Sequence, residues 1–157
     1  MLATNFGISR HLEMADLKVS DIVELDRINM SDIIEKSGGT YSPEKRSNAL
    51  KQEIRDGSKI ITRYIGPKLA GYLQYSVDEF GSCYVVSLQV HPDHRNGSVL
   101  IWLIRNFKSC IPAQHIKELK SSVHINNAVS VSLHKRLGFS LRNTENHRYK
   151  FFLATGL

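Results

Sequence analysis

The chain has 157 residues, 41% of them hydrophobic and 23% charged, a balance that fits a folded globular protein and excludes disordered and fibrous classes. That length suits one domain burying roughly two-thirds of its unfolded surface, and no apolar run approaches the ~20 residues a membrane span needs. A formal charge of +6 favours anionic partners, among them anionic cofactors, nucleic acid and acidic protein surfaces.

The first residues, Met1–Leu12, lack the apolar core of an export signal and read as a poorly ordered extension. Ser20 can cap a helix whose apolar face carries Ile22, Leu25 and Ile28. After a loop at Ser37–Thr40, Ser42–Pro43–Glu44 supplies a cap, a proline at the first helical position and an acid in the first turn. This second helix, with Ala49, Leu50 and Ile54, stops at Gly57. Strands are expected at Lys59–Ile65, Leu69–Val77 and Cys83–Val90, separated by turns at Gly66–Pro67 and Asp78–Ser82. A helix over Ser98–Ser109, a strand over Leu119–Ile125 and a helix over Ala128–Leu137 follow. Strands at Phe139–Arg142 and His147–Leu153 complete the order. In the last helix Val129, Leu133 and Leu137 recur at fourfold spacing, which predicts a buried face. Ser130 and His134 share a neighbouring face and can look into one cleft.

Two blocks carry chemistry. In Val90–Leu100 a strand ends at Pro92, a polar turn contains Gly97, and a helix begins; such a junction aims backbone N–H groups at an anion. In the second block Asn127 caps a helix that stops at Gly138–Phe139. His91 and His94 share the first loop with Asp93 and no further ligand, so no metal site is expected. Cys83 and Cys110 fall in different elements, as expected of a reduced, cytoplasmic chain. Trp102 reads as a core residue.

Together the blocks resemble the GNAT superfamily of N-acetyltransferases. Val90, Pro92 and Arg95 match that family's strand end and cofactor turn. Asn127, Ser130 and Gly138–Phe139 match its later pattern of an asparagine, a small residue three on, and Gly-Phe eleven and twelve on. The family's small turn residues fall on Ser98 and Leu100, with Gly97 one place early, and its tyrosine seven residues after the asparagine is His134. The resemblance implies a single α/β domain over residues 1–157, with a mixed, mostly antiparallel sheet and helices on both faces. It implies acyl transfer from acetyl-CoA to a primary amine by direct attack, without a covalent acyl-cysteine.

By the same resemblance Leu88, Gln89 and Val90 line the pantetheine arm, the main chain of Leu88 and Val90 pairing with it. Arg95, Asn96, Gly97, Ser98, Val99 and Leu100 hold the pyrophosphate. Asn127 contacts the arm with Ser130 beside it, His134 is the general acid to the departing thiolate, and a backbone N–H near Val90 holds the oxyanion. No base is assigned, since Cys83–Val90 contains no carboxylate. The acceptor is open among a small amine, a protein N-terminus, a lysine and an aminoacyl group, and so is a homodimer. The alternative reading is a catalytically degenerate module of this fold that binds a protein or a nucleic acid; an acidic macromolecule such as tRNA could also be the enzyme's partner.

Overall fold

The computed structural model describes residues 18–156, so the extension expected at residues 1–12 lies outside the described residues. Helix α1 (Val19–Lys36) starts one residue before Ser20. Lys18 occupies the cap with no side-chain hydrogen bond, and its carbonyl takes the first amides directly. Ile22, Val23, Leu25 and Asp26 are buried, whereas Ile28, expected on the apolar face, is 40% exposed. A charged residue therefore sits inside the buried stripe of α1. Helix α2 (Pro43–Arg55) begins as its sequence dictates, the Ser42 hydroxyl accepting the Lys45 N–H at 3.3 Å.

Six strands form one sheet: β1 (Lys59–Ile65), β2 (Lys68–Val77), β3 (Ser82–Val90), β4 (Glu118–His124), β5 (Ser140–Glu145) and β6 (Arg148–Ala154), in the order β1-β2-β3-β4-β6-β5. Only β3 and β4 run parallel, because the chain crosses between them through helix α3 (Ser98–Ala113). That helix outruns its expected end at Ser109 and contains Pro112. The proline's missing N–H falls in the last turn, which Gln114 N–H to Cys110 O closes at 3.1 Å.

The sheet is covered on both faces. Ile22, Leu25 and Leu50 from α1 and α2 pack with Leu69 and Tyr72 on one side. Val99, Leu103 and Phe107 from α3 pack with Leu73, Tyr75, Cys83 and Leu119 on the other, the Tyr75 and Phe107 rings meeting edge to face at 5.0 Å. Each such buried side chain contributes roughly 1.5–3 kcal/mol. Cys83 and Cys110 both lie in this second cluster, and burial pushes the Cys83 thiol up to about 12. Trp102 packs beside it, half-buried under the Arg63 guanidinium, 5.0 Å from the ring centre. Gly71 on β2 lets α3 approach: a Cβ there would lie 2.8 Å from Gln89 O and 2.9 Å from Val99 Cγ1.

Helix α4 (Ala128–Arg136) lies on the α3 side, because its His134 reaches Ser121, which alternates with Lys120 and Ser122 along β4. It turns a different face to the sheet than its apolar spacing predicts. Val129 is 70% exposed and Leu137 is also exposed, while His134 is buried. The helix end fixes this rotation. Gly138 (φ +91°) and Phe139 donate to the carbonyls of Lys135 and His134, a Schellman close that seats Phe139 on His134 with ring centres 5.1 Å apart.

Candidate active site

The parallel ladder is short. Ser82–Val85 pair with Glu118–Ser121 and pairing then stops, so the rest of β3 and the end of β4 splay apart. At the same level β3 is bulged: Tyr75 pairs with Val85 and Gln74 with Ser87, leaving Val86 without a partner on β2. Beyond the bulge, His91 N–H bonds Ala70 O across to β2 at 2.8 Å. Antiparallel alternation then turns the N–H and C=O of Leu88 and Val90 toward the open side. A cavity of about 770 Å³ passes through this gap, bounded by Ile104 and Phe107 on the α3 side and by Asp26, Met30 and Tyr41 on the α1–α2 side. Its size is that of a small-molecule site.

At the mouth of the gap a 3₁₀ turn (Pro92–His94) leads through Gly97 (φ +95°) into α3. The first-turn amides of α3 have no partner within the helix. Asn96 Oδ1 takes the Ser98 N–H at 3.1 Å and the Ser98 hydroxyl at 2.8 Å, leaving those of Val99 and Leu100 outside that cap. Arg95 does not extend over this end. Its Nε donates to Val90 O at 3.3 Å and its Nη2 to Asn29 Oδ1 at 3.0 Å, while Asn29 Nδ2 donates to Val90 O at 3.1 Å and to Gln89 Oε1 at 2.9 Å. Thus the Val90 carbonyl is already paired, whereas the Leu88 main chain stays open to the gap. Among the described residues no three His, Cys, Asp or Glu side chains gather as metal ligands.

On the α4 side the structure brings Asn127, Ser130 and His134 to the cavity. Asn127 Oδ1 caps α4 through the Ser130 N–H at 3.2 Å. His134 Nδ1 lies 2.7 Å from the Ser130 carbonyl, which can only accept, so Nδ1 carries the proton. In the neutral ring Nε2 then accepts the Ser121 hydroxyl at 2.8 Å. The ring stacks on Phe151 at 5.0 Å. Burial holds its pKa below the ordinary histidine value, against the Ser130 hydrogen bond, and so favours the neutral form.

The far wall holds a network that motif reading missed. Tyr72 OH donates to Asp26 Oδ1 and lies 3.0 Å from Ser87 Oγ, beside the bulge. Arg46 Nε donates to Asp26 Oδ2 at 2.6 Å and Nη1 to Glu53 at 3.2 Å. Burial raises the Asp26 pKa above the usual aspartate value, against hydrogen bonds from Tyr72 and Arg46. Burial likewise pushes the Tyr41 hydroxyl up to about 12; it donates to Val23 O at 2.8 Å. Its one local signal was Asp26, four residues after Ile22 on the buried stripe, where an apolar residue would otherwise pack.

No curated protein matches the chain in sequence. Among solved structures, the PaiA N-acetyltransferase of Thermoplasma acidophilum in complex with coenzyme A superposes with a TM-score of 0.72 at 16% identity, over 92% of this chain and 96% of that one. The ribosomal-protein-alanine N-acetyltransferase of Brucella melitensis gives 0.63 at 19% identity, over 90% and 97% of the two chains. YncA of Salmonella typhimurium with its cofactor acetyl-CoA gives 0.62 at 18%, over 92% and 91%. Identities this low speak for the fold. The family assignment comes from the sequence model of the acetyltransferase (GNAT) family, which matches residues 24–139. Fold and family model agree, and the chain belongs to the GNAT acetyltransferase family.

Proposed function

We propose that the protein transfers an acetyl group from acetyl-CoA to a primary amine. The observation that carries this reading is the gap beyond Val85 and Ser121, open from one face of the sheet to the other, with the unpaired Leu88 main chain along one edge and the Asp26–Tyr72–Ser87 network at the far side. The residues fit an acyl-CoA in three respects. Leu88 offers one N–H and one C=O to an extended pantetheine arm, as an added strand would use them. The first-turn amides of Val99 and Leu100 and the positive end of α3 suit a pyrophosphate. Asn127 and Ser130 flank the arm from α4.

Arg95 contributes differently from a direct phosphate clamp. It holds the end of β3 against Asn29 of α1, which keeps the turn in place.

Bound acetyl-CoA supplies an activated thioester; the amine's nitrogen forms the new bond to the acetyl carbon as the carbon–sulfur bond breaks. The proton released by the amine has a path through the Ser87 and Tyr72 hydroxyls to Asp26, whose raised pKa suits it to accept one. His134 is the candidate donor to the sulfur, acting through Ser121. That role requires the imidazolium, because the neutral ring's only proton is committed to Ser130.

Calorimetric titration with acetyl-CoA tests the proposal. Saturable binding with turnover of an added amine is expected. A folded protein that binds no acetyl-CoA at high micromolar concentration would overturn it. The pH profile separates the two roles of His134: kcat that falls as pH rises past the ring's lowered pKa marks the acid, and kcat that does not marks an anchor for Ser121.

A further inference from the structure

On the α1–α2 face of the sheet, at the edge of the cavity, lies an unusual pair of cations, Arg148 and Lys150. In the β4–β6 ladder His124 pairs with Arg148 and Ser122 with Lys150, so these four side chains share one face. That face is the one α1 covers, since Ser37 at the end of α1 lies 3.1 Å from His124 Nε2. Arg148 Nε and Lys150 Nζ both donate to Ser122 Oγ, at 2.8 and 3.2 Å, and Arg148 Nη2 donates to Ser122 O at 2.7 Å. Two positive charges thus converge on one neutral hydroxyl. Among the described residues neither makes an ion pair, and Glu145, opposite Arg148 in the β5–β6 register, forms none with it. Burial holds the Arg148 guanidinium below its ordinary pKa, and among the described residues no carboxylate offsets this.

Arg148 lies on the boundary of two spaces. It lines the main cavity together with Asp26, and it lines a neighbouring groove of about 480 Å³ with Lys120, Arg142 and Lys150. The cavity therefore has a carboxylate network on one wall and the uncompensated Arg148 on the other, with Lys150 next to it in the groove, where Lys120 is paired with Glu118 at 3.1 Å. A guanidinium with donors to spare beside an ammonium is the arrangement that holds carboxylate or phosphate oxygens. The turn before α3, proposed for the pyrophosphate, is fed by the strand end on the opposite side of the gap, so the two anion sites are distinct.

We propose that Arg148 and Lys150 bind an anionic group of the acceptor, which makes the substrate an amine that also carries a carboxylate or a phosphate. The proposal rests on the acetyl-transfer reading of the same cavity. It is tested by titrating the full chain, with and without saturating CoA, with O-phosphoethanolamine, β-alanine and ethanolamine. Binding is followed through the amide resonances of Ser122, Arg148 and Lys150. The two anionic amines are expected to bind about tenfold or more tightly than ethanolamine, and their ratio tells phosphate from carboxylate. Arg148→Gln should remove the preference. Lys150→Gln, which leaves the Arg148 bond to the Ser122 carbonyl untouched, should reduce it if the first variant unfolds. Equal affinity for all three amines, or an undiminished preference in both folded variants, overturns the proposal. A preference that persists in a protein binding no CoA would keep the anion site and remove the acetyl-transfer reading.

Discussion

Replacing Gly71 by alanine puts a methyl group 2.8 Å from the Gln89 carbonyl oxygen, 2.9 Å from Val99 Cγ1 and 3.1 Å from Leu103 Cδ1. Carbon atoms rest at separations of about 3.5–4.0 Å, so β2 and α3 must part by roughly 0.6–1.1 Å at Val99. One obstacle is backbone, which cannot rotate away, and the other two belong to buried core residues. Overpacking of this kind costs about 1–3 kcal/mol. For a chain of this length each kcal/mol moves the melting temperature by about 2–4 °C, so G71A should melt roughly 2–12 °C below the wild type in scanning calorimetry. Val99 also stands in the first turn of α3, so CoA affinity should fall with stability. A variant melting within about 1 °C of the wild type would refute the closed contact between β2 and α3.

Thr62 Oγ1 is buried without a hydrogen-bond partner among the described residues, so the near-isosteric Thr62→Val should raise stability by about 1 kcal/mol in chemical denaturation, and a loss would contradict the burial. Arg46→Met strips a half-buried cation from the buried Asp26 and should cost about 3 kcal/mol; adding Asp26→Asn should recover part of it in a double-mutant cycle. His134 has a folded pKa below its ordinary 6.5, so near and below that pH the unfolded chain binds the extra proton. Its contribution is present above pH 6.5 and is lost as the pH falls toward the lowered value. His134→Phe should flatten this slope in denaturant titrations between about pH 5 and 7.5, and an unchanged slope would assign it to another group. Asn127→Ala should lower stability by about 1 kcal/mol through loss of the α4 cap.

Strands and turns were the most legible part of the chain. Lys59–Ile65 has the bounds read from its β-branched run, and Ser42–Pro43 starts α2 as expected, because both signals are local. Helix rotation was less legible. Val129, Leu133 and Leu137 have perfect spacing, yet the Gly138–Phe139 close and the Ser121 hydroxyl turn His134 inward. At the site, motif matching located the turn before α3 and the Asn127–His134 helix. It could not show Arg95 folding back on Asn29, a contact set by tertiary structure. The Val86 bulge has no residue signature, since it is a shift of register. The Asp26–Tyr72–Ser87 network joins α1, β2 and β3 through contacts distant in sequence, which only the folded chain brings together.

The brevity of the β3–β4 ladder reaches beyond the site. Among the described residues, the backbone seam between the first three strands and the last three is the ladder of Ser82–Val85 with Glu118–Ser121, extended by the Lys117 N–H to Gly81 O at 2.9 Å. The sheet is thus two half-sheets joined along a seam, with its weakest bonding where the reaction is proposed to occur. An extended ligand laid against Leu88 supplies rungs the polypeptide lacks and makes the ligand a part of the sheet. Hydrogen exchange along the inner edges of β3 and β4 should then slow far more on acetyl-CoA binding than exchange in β1 or β5, coupling occupancy of the gap to the cohesion of the whole molecule.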